Sequence, residues 1–418
     1  MPDAKPDSRP KHVFITVAEV SGDRHAAQLV RALRELDPSL VIEGLGGPEM
    51  KAAGATVHQE TVSNAAMGWR GALRAAEVWR LLRWTRRHFD RKPPDLQIGV
   101  DSPSMNFHFA RLAKARNVPV LQYVAPQLWA WREGRMKKLR QCVDHVACIL
   151  PFEEPYFRSH GVPATFVGHP LFDELPPHRE PPPPQQRFPH RPLVLGILPG
   201  SRRSVAASNL PGLVKAAAHV WNAFPDATFL IPTTAATDEL VTRVVKAQAP
   251  RGMLASFTTG RDAFDEMVPR CDLCLTVSGT ATLHVAGYNV PMIVVYHTTR
   301  VLWHGLGRWL IRIPTRTLVN LLAVGPRGTS DRHLTPEITP WHGAGEPVAN
   351  LALDYLRHPE KLESQRRALA DLVGTLDRPG ASANVARLAL RMMGLATEPS
   401  AQLRGGTIPE PARPLPSH

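Results

Sequence analysis

The sequence is poor in cysteine, in acidic residues and in long apolar runs, and each shortage removes a class of protein. Four cysteines, Cys142, Cys148, Cys271 and Cys274, stand in 418 residues, too few for a disulfide framework at this length. The "CDLC" pair has metal-like spacing, but no second pair or histidine cluster completes it, so buried structural cysteines are expected. No run approaches the roughly 18 apolar residues of a spanning helix, and "MPDAKPDSRPKHVF" holds no apolar core of a secretory signal. A cytoplasmic protein is expected, one able to touch a membrane from that side. No "GxxxxGK[ST]" occurs, which argues against ATP chemistry of the P-loop kind.

Basic residues are plentiful. Against 37 acidic side chains stand 50 lysines and arginines, a formal net charge of +13. That balance favours an anionic partner: nucleic acid, an acidic membrane surface or phosphorylated substrates. A hydrophobic fraction of 43% with 21% charged residues indicates a folded chain, and its length suits two domains.

Short β-branched strands alternate with helical segments. "HVFITVAEV" precedes a helix that begins at a Ser-Gly-Asp turn; "VIEGLGG", "DLQIGVD", "VPVLQYVA", "HVACILP" and "ATFVGHP" repeat the strand theme. Such alternation predicts an α/β fold with a largely parallel, doubly wound sheet whose ligands lie at the strands' carboxyl ends. "DELPPHREPPPPQQRFPHRP" interrupts it as an extended proline-rich connector. The alternation then restarts with "LVLGILPGS", "ATFLIPTT", "LASFTT", "LCLTVSGT" and "PMIVVYHT". The predicted order is a disordered 1–11, a Rossmann-like acceptor and membrane domain over 12–172, the connector 173–192, a second Rossmann-like domain over 193–375 for a nucleotide sugar, a C-terminal helix 376–395 and a disordered tail 396–418. Two such domains facing a cleft suit glycosyl transfer from a nucleotide sugar.

Three constellations carry candidate chemistry. In "LGILPGSRRS", Gly200, Ser201 and Arg202 follow a strand: glycine lets the backbone approach a ligand, and the other two can hold a phosphate. In "VSGTATL", Ser278, Gly279 and Thr280 open a helix whose first N–H groups favour anions. In "GVDSPSMNF", Asp101 at a strand end could take a proton from an attacking hydroxyl; the plain alternative is a helix cap. His169 in "FVGHPLFDE" either binds the sugar or its phosphate or satisfies a carbonyl.

Two stretches suggest a lipid surface. In Trp69–Phe89, Val78, Trp79, Leu82 and Phe89 are read as one helical face and Arg80, Arg83 and Arg87 as another. In Arg300–Pro314, apolar residues including Trp303 recur at helical spacing among arginines, with Trp309 beside them. Core-facing helices with solvated basic sides are the plain alternative. Nucleic acid fits less well, because the basic residues sit among leucine and tryptophan instead of along a polar groove.

The block "YVAPQLWAWREGRMKKLRQCVDHVACILPFEEPYFRSHGVPATFVGHPL" resembles lipid-A-disaccharide synthases, as do "EVSGD", "GGPEMKAAG", "MGW", "LPGSR", "SGTATL", "NLLA" and "GASANVA". The resemblance implies a two-Rossmann, GT-B-type inverting glycosyltransferase using no metal and no cofactor. It would join UDP-2,3-diacylglucosamine to 2,3-diacylglucosamine 1-phosphate, giving the β-1,6 disaccharide 1-phosphate and UDP. It would work peripherally on the anionic cytoplasmic face of the inner membrane. The implied roles give Asp101 to the general base and the two Gly/Ser turns to the diphosphate. Glu19, Ser21, Asn320, His169 and His284 become sugar or ribose contacts.

Three departures stand out. The family usually has Asp where Ser104 stands, Glu near Val205, and Glu where His284 stands. A neutral imidazole accepts one hydrogen bond where a carboxylate accepts more, so the ribose contact is altered. A non-catalytic nucleotide- or lipid-binding paralogue, or a transferase or epimerase using another UDP-sugar, stays open on these grounds, and so does the oligomeric state.

Overall fold

The computed structural model describes residues 9–62, 71–129, 133–175, 183–297, 315, 317–325, 329–376 and 380–395. The tail 396–418, most of the stretch 1–11, and Trp303 and Trp309 lie outside the described residues.

The chain forms two compact units, one running to Glu174 and resuming at Leu376, the other spanning Leu175–Thr375. In the first, β1 (His12–Thr16), α1 (Val20–Leu36), β2 (Val41–Gly46), α2 (Pro48–Ala52) and β3 (Thr56–Glu60) lead to the long helix α3 (Gly71–Arg91). Then come β4 (Leu96–Val100), α4 (Pro103–Lys114), β5 (Val120–Tyr123), α5 (Met136–Cys142), β6 (His145–Cys148), α6 (Glu153–Ser159), β7 (Ala164–Phe166) and α7 (Leu171–Glu174). The sheet is parallel in the order β3-β2-β1-β4-β5-β6-β7. Alternate residues of β1 serve opposite faces: Val13 and Ile15 enter one core, Phe14 the other. Phe14 meets Phe89 of α3 edge-on at 4.9 Å, and its truncation to alanine should cost about 3–5 kcal/mol. The terminal helix Ala381–Met392 returns to pack Val385, Ala386 and Ala389 against the α1 side.

The second unit holds β8 (Val194–Leu198), α8 (Arg203–Ala223), β9 (Thr228–Thr233), α9 (Asp238–Gln248), β10 (Phe257–Arg261) and α10 (Phe264–Met267). It continues with β11 (Leu273–Val277), α11 (Ala281–Gly287), β12 (Met292–His297) and β13 (Glu337–Trp341). The parallel order is β10-β9-β8-β11-β12-β13. Two Rossmann-like units are therefore present, as the alternation predicts. The four cysteines are unpaired and buried.

Several local expectations need correction. Ser21, Gly22 and Asp23 are not a turn before α1 but its first turn, because Asp23 points away to accept N–H bonds from Gly47 (2.8 Å), Glu49 (3.0 Å) and Met50 (3.3 Å), capping α2. "LASFTT" begins as a 3-10 turn, the strand starting at Phe257. The proline-rich connector is not extended throughout. Asp173 lies in α7 and accepts from the N–H groups of Gly380, Ala381 and Ser382. Near its far end Phe188 and Arg191 are tied to the buried carboxylate of Asp272.

The basic helix α3 also divides differently. Its buried stripe is Leu81, Thr85 and Phe89, at a four-residue step. Trp79 is 58% exposed and lies beneath the Arg83 guanidinium, 5.2 Å from its ring centroid. Trp79 thus belongs with exposed Arg80, Arg83 and Arg87, not with Phe89.

Candidate active site

In the first sheet the winding reverses between β1 and β4, where open parallel sheets hold ligands beyond the strands' carboxyl ends. Asp101 follows β4 there. Its φ is 52° and that of Ser102 is 37°; left-handed backbone at a non-glycine residue costs on the order of 1–3 kcal/mol and persists only where surroundings over-determine it. Buried amides supply that support. Asn106 Nδ2 donates to the carbonyls of Asp101 (2.7 Å) and Val100 (3.1 Å), while its Oδ1 accepts from the Thr16 hydroxyl at 2.9 Å. Gln97 donates to that hydroxyl at 3.0 Å. The Gln122 amide is shared among the carbonyls of Asp101, Tyr123 and Val124, each at 3.2 Å.

This corner presents the Asp101 carboxylate without using it as a cap. The N-cap of α4 is Ser102, with no side-chain capping bond. Asp101 Oδ1 accepts from Ser102 N at 2.8 Å, and Oδ2 from the Ser21 hydroxyl at 3.3 Å. Gly22 lets α1 approach: a Cβ there would stand 3.0 Å from Val17 Cγ1 and 3.4 Å from Asp101 Cβ. Glu19, exposed at the N-cap of α1, makes no side-chain capping bond.

Sequence reasoning missed His25, one turn after Ser21. The i, i+4 spacing turns both toward the Asp101 corner, and the signal was legible in "SGDRH". Burial pushes the His25 imidazole down, and the Asp101 charge pulls it back. His169 is 9% exposed, and its Nδ1 accepts from Leu171 N at 3.2 Å. Burial, with His25 nearby, pushes it down to about 3, so it stays neutral.

A second missed group is Glu153, 1% exposed at the start of α6. It accepts from Trp129 Nε1 at 3.1 Å and Leu150 N at 3.2 Å. Burial pushes its carboxyl up to about 8 against the pull of those bonds.

In the second unit the winding reverses between β8 and β11, and both phosphate-type turns follow those two strands. Gly200 has φ 106°, and a Cβ there would stand 2.7 Å from Val205 Cγ1, so the turn requires glycine. Ser201 and Arg202 are exposed as they lead into the 21-residue α8, and Thr234 donates to the Ser201 carbonyl at 3.2 Å. Beside it, Ser278 is half-buried, and Gly279 and Thr280 are exposed ahead of α11. His284, on α11, faces a carboxylate of its own unit: its Nε2 is 2.7 Å from Asp265 Oδ1, and its ring contacts those of Phe264 and Tyr288. Asn320 is buried. Its amide donates to Thr335 O (2.8 Å) and Glu337 Oε1 (2.7 Å), and its Oδ1 accepts from Thr335 N (2.9 Å). That pattern ties the helix Leu318–Val324 to β13.

Residues 13–340 match the family model described as lipid-A-disaccharide synthetase. A lipid-A-disaccharide synthase of Geobacter metallireducens is 34% identical over 92% of this chain and 98% of the relative. Among solved structures, a putative UDP-N-acetylglucosamine 2-epimerase from Listeria monocytogenes superposes with TM-score 0.59 at 12% identity, over 92% of this chain and 96% of the other. The UDP-GlcNAc 2-epimerase of Neisseria meningitidis, bound to UDP-GlcNAc, gives 0.58 at 12%, over 92% and 100%. The two structural likenesses speak to the fold alone.

Proposed function

The chain belongs to the lipid-A-disaccharide synthetase family, and from that premise we infer how its two switch points divide the reaction. It is a glycosyltransferase that joins UDP-2,3-diacylglucosamine to 2,3-diacylglucosamine 1-phosphate, forming a β-1,6 bond and releasing UDP. Asp101 takes the proton from the acceptor's 6-hydroxyl as that oxygen attacks the donor's anomeric carbon, and UDP leaves from the opposite face. The turns Gly200–Arg202 and Ser278–Thr280 hold the diphosphate. The Arg202 charge and the N-terminus of α8 offset the charge that develops on the leaving group.

The observation that carries this assignment is the strained Asp101 corner. An amide network beneath it holds a carboxylate at the switch point without employing it as a cap. Ser21 touches that carboxylate and is its positioning partner.

The reading extends to a peripheral place on the cytoplasmic face of the inner membrane. No described helix is long and apolar enough to cross a membrane, and the exposed Trp79, Arg80, Arg83 and Arg87 offer an apolar ring among cations.

The deciding experiment is UDP release by the purified chain given both sugar substrates, beside Asp101→Asn. Acceptor-dependent release is expected, with a loss of about 10²–10⁴-fold in kcat for the variant. Release that persists in Asp101→Asn would remove the general-base role; UDP binding without release would favour a non-catalytic paralogue.

A further inference from the structure

A buried carboxylate of the first unit gathers three imidazoles far from the chemistry. Glu43, in β2, is 6% exposed. Its Oε1 lies 2.7 Å from His12 Nε2 and 2.6 Å from His88 Nε2, and its Oε2 lies 3.2 Å from His58 Nε2. Four elements contribute: β1, β2, β3 and α3. The register explains the meeting. Glu43 is paired with Phe14 in β1 and with Thr56 in β3; His12 stands two residues from Phe14 on the same sheet face, and His58 sits at the register shift between Val57 and Gln59, which turns its ring to Glu43 Oε2. Helix α3 covers that face and adds His88. Trp84 stacks on the His88 ring at 4.9 Å and meets His58 at 4.9 Å, walling the cluster.

His12 is the unusual member. It is 3% exposed, and neither ring nitrogen has a hydrogen-bond partner, although Nε2 stands 2.7 Å from Glu43 Oε1.

We propose that His12, Glu43, His58 and His88 form a structural zinc site. The donor atoms of His12, Glu43 and His88 lie within 4.8 Å of one another. Ligands at roughly 2.0–2.1 Å around a tetrahedral zinc stand about 3.3 Å apart, so the three donors draw together around the ion and His58, held at Glu43 Oε2, swings in as the fourth. Three imidazoles and one carboxylate suit a borderline ion, whereas magnesium and calcium take oxygen-rich shells. With His58 as the fourth ligand no position would stay open, which fits structure and not catalysis. The place agrees: His12 opens β1 at its amino end, while Asp101 follows the carboxyl end of β4. Lys92 Nζ, 3.6 Å from Glu43 Oε2, opposes a cation, but its side chain is half exposed and can swing into solvent.

The test uses the purified full chain, stripped with chelator and reloaded with Zn²⁺ or Co²⁺. About one ion per chain should survive desalting, zinc should raise the unfolding temperature, and the cobalt form should show the intense visible bands of a tetrahedral site. Glu43→Gln and His88→Gln should each weaken binding at least about tenfold, the lower end of what even loss of a supporting hydrogen bond costs. Substoichiometric metal, a weak octahedral cobalt spectrum, or unchanged binding in the variants would overturn the site. The cobalt spectrum decides on the wild-type chain even where a variant fails to fold.

Discussion

His284 Nε2 lies 2.7 Å from Asp265 Oδ1, and the Tyr288 hydroxyl donates to the same oxygen at 2.9 Å. The family resemblance leads one to look for a carboxylate where His284 stands. In this chain a carboxylate is held by that histidine from the neighbouring helix α10, and it remains 65% exposed and able to accept further donors. Asp265→Asn should therefore raise the KM for the UDP-sugar about five- to thirtyfold, the equivalent of about 1–2 kcal/mol, and change kcat much less. An unaltered KM would take the pair out of the donor site.

Asn106 carries the carbonyls of Val100 and Asp101 together with the Thr16 hydroxyl. Alanine there strands buried polar groups at a cost on the order of 1–3 kcal/mol and releases the left-handed corner. Denaturant titration should register that loss, and kcat should fall more than KM rises. Wild-type kcat in a destabilised Asn106→Ala would show that the corner supports itself.

Glu153 sets a pH dependence. Its folded value, about 8, lies above the ordinary 4.5, so its contribution to stability is complete below the ordinary value and is lost as pH rises through about 8. Between about pH 5 and about pH 9 the wild type should lose on the order of 4 kcal/mol more than Glu153→Gln. Parallel stability curves for the two proteins would contradict this.

Arg80, Arg83 and Arg87 are exposed beside Trp79 on α3. At about 1 kcal/mol per arginine near an anionic bilayer, replacing all three by glutamine should weaken sedimentation with phosphatidylglycerol vesicles roughly a hundredfold at low salt. Neutral vesicles should capture little of either protein. Equal capture of both proteins by anionic vesicles would move the membrane surface elsewhere.

Much of the fold was legible because it is written in short periods. β-branched runs such as "HVFIT" and "LCLTV" become buried strands, and the glycine of "LPGSR" marks a turn that a Cβ would block. The strand ends bearing Asp101, Ser201 and Ser278 could be named because a parallel sheet leaves its carboxyl edge for ligands. The face of α3 was misread for a related reason. Helical periodicity says which residues travel together, but only packing against Phe14 selects Leu81, Thr85 and Phe89 as the inner stripe.

By itself, then, the sequence determined the alternation of elements, the two doubly wound halves and the strand-end loops proposed for the site, since these follow from forces between near neighbours along the chain. Tertiary structure alone decided that Asp23 caps α2, that Asn320 ties a helix to β13, that His284 finds Asp265, and that His12, Glu43, His58 and His88 converge. Those pairings join residues 15 to 45 positions apart, or more, through strand register and helix packing. No local periodicity encodes which of many polar side chains will share one buried pocket, because the desolvation that forces them together exists only once the sheet and its helices have closed over it.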